Sequence, residues 1–149
     1  MLLPPTWQLD NFRKEGNDWV RKDQGEYRSV TAYDYNNDGS LDVFLANGST
    51  RNAAAERITN TPNTVWFNDG QGHLADSGQQ LGQAESTAVA LGDVNGDGWA
   101  DAVVGNRGPT EVWLNDGAGF FTDSGQRLGS GLSEEVFLAD LDGDGDLDL

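Results

Sequence analysis

The chain has 149 residues, 25 of them acidic and nine basic, for a formal net charge of −16, and it has no cysteine. Such an acidic balance argues against nucleic acid and anionic membranes as partners, and disulfides cannot hold the fold. The length is ample for one domain core, and no segment approaches the roughly 20 consecutive apolar residues of a membrane span.

Taken in chain order, the opening MLLPPTW lacks the basic start and sustained apolar run of a signal peptide. An exported parent would therefore carry its signal upstream. The acidic loop DYNNDGSLD follows at residues 34–42 and leads into the β-forming run VFLAN. A polar stretch, NGSTRNAAAERITNTPN, fills residues 47–63 and reads as a loop. Its Asn47-Gly48-Ser49 fits a glycosylation sequon but is read as part of that loop. After VWFNDGQGHLADSGQQLG at 65–82, TAVALGDV enters a second acidic loop, DVNGDGWAD, at residues 93–101. ADAVVGN leaves that loop, NRGPT connects, EVWLN and the turn NDGAG follow, and then GFFTDS. A third acidic loop, DLDGDGDLD, stands at residues 140–148.

The three loops share one pattern: carboxylate or amide oxygens at positions 1, 3, 5 and 9, and glycine at position 6. Calcium is a hard cation that takes roughly 6 to 8 oxygens, and alternate residues of a tight loop can point inward together. In the first loop Asp34, Asn36, Asp38 and Asp42 would supply side chains and Ser40 its backbone carbonyl. In the second, Asp93, Asn95, Asp97 and Asp101 act with the Trp99 carbonyl. In the third, Asp140, Asp142, Asp144 and Asp148 act with the Asp146 carbonyl. Gly39, Gly98 and Gly145 stand where the chain reverses, at a φ that glycine adopts cheaply. Up to three Ca²⁺ ions are thus expected. Without a cation, carboxylates about 4 Å apart repel by up to about 4 kcal/mol per pair at an effective dielectric near 20, so the empty loops are expected to be loose.

A solvated Asp/Gly turn explains one such loop but not three with matching spacing. An EF-hand requires Glu at position 12 and flanking helices. Here position 12 is Leu45 or Val104, followed by β-formers.

The whole unit repeats. Asp93 to Asp140 is 47 residues, as is Trp66 to Trp113, whereas Asp34 to Asp93 is 59, so the first unit carries a 12-residue insertion between Asp42 and Trp66. Strand, acidic hairpin, strand, loop, strand, Asn-Asp-Gly turn and strand make a four-stranded antiparallel meander. Such a meander repeated at this interval is the signature of a β-propeller blade. The expected fold is therefore all-β, with four-stranded antiparallel blades in an incomplete ring. Val30, Val89 and Val136 align as blade-core positions, as do Trp66 and Trp113.

The acidic loops, the NDG turns and the phrase VWLNDGAGFFTDSGQ resemble the FG-GAP or VCBS repeats of integrin-like β-propellers, particularly bacterial arrays of such units. The resemblance covers residues 30–149 and implies that the cation sits in the hairpin between the first two strands of each blade and is structural. Residues 1–29 are expected to form outer strands of a preceding blade, 30–88 a blade with the insertion at about 47–63, 89–135 a second blade, and 136–149 the start of a third. Because propellers usually close with 4 to 8 blades, the chain is read as a segment of a larger protein. Its remaining blades would be supplied by the parent chain or, alternatively, by self-association.

Loops on the face opposite the metals are where the resemblance places partner binding. The insertion, with Arg51, Glu56 and Arg57, is the candidate recognition element for a protein or glycan ligand. Catalysis has little support. His73 is the only histidine and aligns with Phe120, as a strand position. No nucleophile elbow, Walker loop or zinc cluster appears. Glu85, Glu134 and Glu135 could in principle give a glycosidase carboxylate pair, though polar surface positions are their ordinary reading. The expected function is non-catalytic adhesion or ligand recognition, at the cell surface, in the periplasm or outside the cell. The alternatives are the propeller of a carbohydrate-active enzyme and a structural spacer.

Overall fold

The structure, a computed structural model, describes residues 12–15, 18–21, 25–51, 57–145 and 147. All regular structure among them is β. Strands β1 (Phe12–Glu15) and β2 (Asp18–Arg21) form a short antiparallel hairpin. The first sheet contains β3 (Gly25–Tyr33), β4 (Asp42–Arg51), β6 (Thr64–Asn68) and β7 (Leu74–Asp76) in that order, with β5 (Arg57–Asn60) added on β4. The second contains β8 (Ser86–Gly92), β9 (Asp101–Asn106), β10 (Gly108–Asn115) and β11 (Phe121–Leu128), also in sequence order. Each is an antiparallel meander of four strands, as the repeat predicts.

The sheets stack because the central strands β4, β9 and β10 carry apolar residues on both faces, so neighbouring residues on one strand serve different neighbours. On the first sheet, Phe44 pairs with Val65 and both point toward the second sheet. They meet Ala102, Val104, Trp113 and Phe121, with Val89 and Leu91 packed at the margin. Phe44 meets Phe121 edge-on at 5.6 Å between ring centroids, and Tyr35 meets the same ring at 5.4 Å. The opposite face of the second sheet carries Val103, Val112 and Leu114, which line a cleft with Leu138 and Leu147 of the third unit. Val136 and Ser133 lie over Gly105 in the same way.

This arrangement corrects one expectation. Val89 packs against the core and Val136 is half-buried, but Val30 is 63% exposed. Val30 lies beside Leu45 on the face of the first sheet that looks away from the second. None of the described sheets covers it there. Trp66, on the same outward face, is half-buried, whereas its equivalent Trp113 is buried.

The insertion also differs from its expected form. Instead of a loop, it extends β4 and builds β5 against it, with Ser49 opposite Asn60 and Thr50 opposite Thr59. Threonine's branched Cβ suits a strand although its hydroxyl is polar. The NRGPT connection is likewise nearly all strand, with Asn106 paired to Gly108 around Arg107. The last strand of the second sheet also runs on past GFFTDS as far as Leu128. His73 precedes β7 and belongs to the turn, not to a strand.

Candidate metal centre

The first two acidic loops connect the first and second strands of their sheets, and the third is described from Asp140 to Gly145 and at Leu147. In each, the position-1 carboxylate gathers the backbone amides of the turn. Asp34 accepts N–H bonds from Asp38 at 3.0 Å and Gly39 at 2.9 Å. Asp93 accepts them from Gly96, Asp97 and Gly98. Asp140 accepts them from Gly143 and Gly145. Position 3 repeats the device, since the Asn36 and Asn95 carbonyl oxygens take the N–H of Asp38 and Asp97, and Asp142 takes that of Asp144. At position 5, Asp38 and Asp97 accept the N–H of Ser40 and Trp99. Gly39, Gly98 and Gly145 sit at φ 90°, 90° and 97°, the left-handed region where a Cβ is costly.

These bonds lower the carboxyl pKa of Asp38, chiefly through the Ser40 N–H, and of Asp93, chiefly through the Gly98 N–H. In the third loop one ligand oxygen from each of Asp140, Asp142 and Asp144 lies within 4.8 Å of the others, and all three residues are exposed. Asp146 and Asp148, the remaining predicted ligands of that loop, lie outside the described residues.

Position 9 has a second task that the sequence reading missed. Asp42 and Asp101 are fully buried. Asp42 accepts the Tyr35 N–H at 3.1 Å and the Asn68 N–H at 2.9 Å; Asp101 accepts the Val94 N–H at 3.1 Å and the Asn115 N–H at 2.8 Å. Burial pushes both carboxyls above the ordinary value, against the downward pull of these amides. Asn68 and Asn115 open the two NDG turns, and their side-chain amides bond back to the carbonyls of Leu41 and Ala100, at position 8. Position 7 completes the clasp. A Cβ on Gly70 would stand 3.0 Å from the Ser40 hydroxyl, and one on Gly117 would stand 2.6 Å from the Trp99 indole. The recurrence of asparagine immediately before each Asp-Gly, in register with position 9, was the signal that could have revealed this role.

The donors in each loop are oxygens, and a carboxylate oxygen that accepts one N–H still has lone-pair capacity. This is the chemistry of a hard divalent cation rather than of zinc or copper. In the third loop one oxygen from each of Asp140, Asp142 and Asp144 is already gathered.

The other predicted residues lie apart from the loops. Asn47 is buried within β4 and donates its side-chain amide to the Pro62 carbonyl at 2.7 Å, so the sequon is closed to glycosylation. The backbones of Arg51 and Arg57 flank the β4–β5 hairpin, at the end of β4 away from the acidic loop, while Glu56 lies outside the described residues. Glu85 is buried, with Arg107 Nε at 3.3 Å and Arg28 at 3.8 Å. Glu134 and Glu135 are exposed. His73 is exposed and meets Asp69 at 2.7 Å.

Four-stranded meanders stacked face to face, each with an acidic hairpin between its first two strands, define a protein of β-propeller blades. A family model described as the FG-GAP-like repeat matches residues 34–104 and 93–149. The chain belongs to the FG-GAP-like repeat family, and it is a repeat module of the kind carried within larger proteins. No curated protein matches it significantly.

Proposed function

We propose that this chain is a calcium-binding, non-catalytic run of propeller blades in a protein that works at the cell surface, in the periplasm or outside the cell, where it serves adhesion or ligand recognition. The observation that carries the calcium reading is the threefold recurrence of one oxygen donor set, with the Asp140, Asp142 and Asp144 oxygens already gathered within 4.8 Å. The residues that would hold the ions are those at positions 1, 3, 5 and 9, with the position-7 carbonyl. A bound cation supplies the positive charge that offsets repulsion among the carboxylates. The chain's own part is to wrap each position-1 carboxylate in turn amides and to clasp position 9 to the NDG turn.

Weak calcium loops of the extracellular type fill at about 10⁻⁴ to 10⁻³ M, which favours a compartment outside the cytosol. The non-catalytic reading is supported by Glu85, whose carboxylate is held between two arginines, leaving it poorly placed to act with another acid. The β4–β5 hairpin, at the end of the sheet opposite the acidic loop, is the favoured surface for a protein or glycan ligand.

The test is a calcium titration of the metal-free protein, following thermal unfolding and counting bound metal per chain. Stabilisation with a stoichiometry approaching three is expected, each site adding about 2.7 kcal/mol at a hundredfold excess over its Kd. Neither binding nor stabilisation would reduce the loops to acidic turns and sink the reading.

A further inference from the structure

We propose that Asn115 couples the first two acidic loops, so that a divalent cation in one raises the affinity of the other. The proposal rests on the cation reading above and extends it to how the sites act on each other. Its basis is a buried relay. The Asp42 carboxylate, position 9 of the first loop, accepts the Tyr35 N–H at 3.1 Å. The Tyr35 carbonyl accepts the Asn115 side-chain amide at 3.1 Å, across 80 residues of sequence. The Asn115 backbone N–H then donates to the Asp101 carboxylate, position 9 of the second loop, at 2.8 Å. Asp42, Tyr35 and Asp101 are fully buried and Asn115 is 3% exposed, so water does not compete for these bonds.

The same turn holds the first loop at other points. The Gly117 carbonyl accepts the Asn37 side-chain amide at 3.3 Å. Gly119 lies so close to Phe67 and Asn36 that a Cβ there would come within 2.5 Å of the ring and 3.4 Å of Asn36 Cβ. Gln79 ties the turn to the first sheet, donating to the Gly119 carbonyl at 2.9 Å and accepting the Phe121 N–H at 2.8 Å. On its other side the turn meets Trp99 and the Ala100 carbonyl of the second loop. Tyr35 and Asn37 are positions 2 and 4 of the first loop, between its ligand positions. Ordering either loop therefore fixes the turn, and a fixed turn lowers the cost of ordering the other. Asn115 is a positioning residue in this account and touches no ion.

The experiment uses terbium as the probe, because its luminescence sensitised through Trp99 reports on the second loop. The first loop is disabled by Asp34→Ala, and circular dichroism checks folding. Terbium affinity at the second loop is expected to fall about fivefold or more on disabling the first. In an Asn115→Ala background the same Asp34→Ala change should have no further effect. Asn115→Ala leaves two carbonyls unpaired and can unfold the chain, so Asn37→Gly serves as the milder variant. It deletes only the exposed bond to Gly117 and suits the left-handed φ of 59° at that position; it should shrink the dependence on Asp34. Second-loop affinity independent of Asp34 in a folded chain would overturn the coupling while leaving cation binding intact. Terbium failing to bind any loop would overturn the cation reading and the coupling together.

Discussion

Asp101 receives the Asn115 backbone N–H at 2.8 Å, and this bond, with that from the Asn115 side-chain amide to the Ala100 carbonyl, joins the acidic loop of a sheet to the turn between its third and fourth strands. Asp42 and Asn68 repeat the relationship at 2.9 Å in the first sheet. The position-9 carboxylate thus has a folding role that does not depend on a cation.

It follows that Asp101→Asn should destabilise the metal-free chain. An amide offers one accepting oxygen where the carboxylate offers two, so either Val94 or Asn115 would face a donor in a buried site. The expected loss is about 1–3 kcal/mol, read as a lower urea midpoint in the presence of a chelator. Asp97→Asn, at an exposed position of the same loop, should stay within about 0.5 kcal/mol. Equal losses would refute a separate structural role for position 9.

Gly117 tests the contact with Trp99. Alanine there meets both a left-handed φ of 81° and the indole, whereas Gly125, at φ 78°, has open space for a Cβ. Gly125→Ala should cost about 1 kcal/mol for backbone strain alone. Gly117→Ala should cost more and should also shift the Trp99 emission. Identical costs and an unchanged spectrum would show that the indole yields freely.

Glu85 lies beside two arginines from different sheets, Arg28 on β3 and Arg107 after β9. Removing Arg107 leaves a buried carboxylate with weaker compensation. A double-mutant cycle between Glu85→Gln and Arg107→Met should return a coupling of about 0.5–3 kcal/mol. A coupling near zero would mean that Arg107 does not help to hold the buried charge.

The Asp123–Arg127 pair gives a pH dependence with a definite direction. Arg127, donating at 2.7 and 2.9 Å, holds the Asp123 carboxyl down to about 2, aided by the Gly125 N–H. Because the folded value lies below the unfolded one, near 3.9, the pair's contribution is complete above the unfolded value and is lost as pH falls toward about 2. The pair is largely exposed, so screening limits it to about 1 kcal/mol at most. The stability difference between the native chain and Asp123→Asn should narrow over that acidic range. A difference constant with pH would show that the pair does not stabilise the fold.

Much of this architecture can be read from the residues. The unit recurs without a gap from residues 65–82 to 112–129, and short β-forming apolar runs such as DAVVGN and EVWLN mark the strands. What escaped the sequence has physical causes. Ser49, Thr50 and Thr59 are polar and read as loop, yet backbone pairing makes them strand. Val30 aligns with the packed Val89 but lies on the uncovered face of the first sheet, and alignment cannot tell which copy has a neighbour. Residues before each Asp-Gly read only as turn-formers, because the bond from Asn115 to Tyr35 joins two repeats 80 residues apart.

The two faces of each sheet give the stack a polarity. Val43 and Phe44 are adjacent in the chain, yet Phe44 faces the second sheet and Val43 looks the opposite way; Ala102 and Val103 repeat the division one sheet later. A sheet therefore meets its successor with a different set of side chains from the one it turns toward its predecessor, like links that join only head to tail. Two substitutions one residue apart would damage different joints, and deleting a single residue in β4 would exchange the joints altogether.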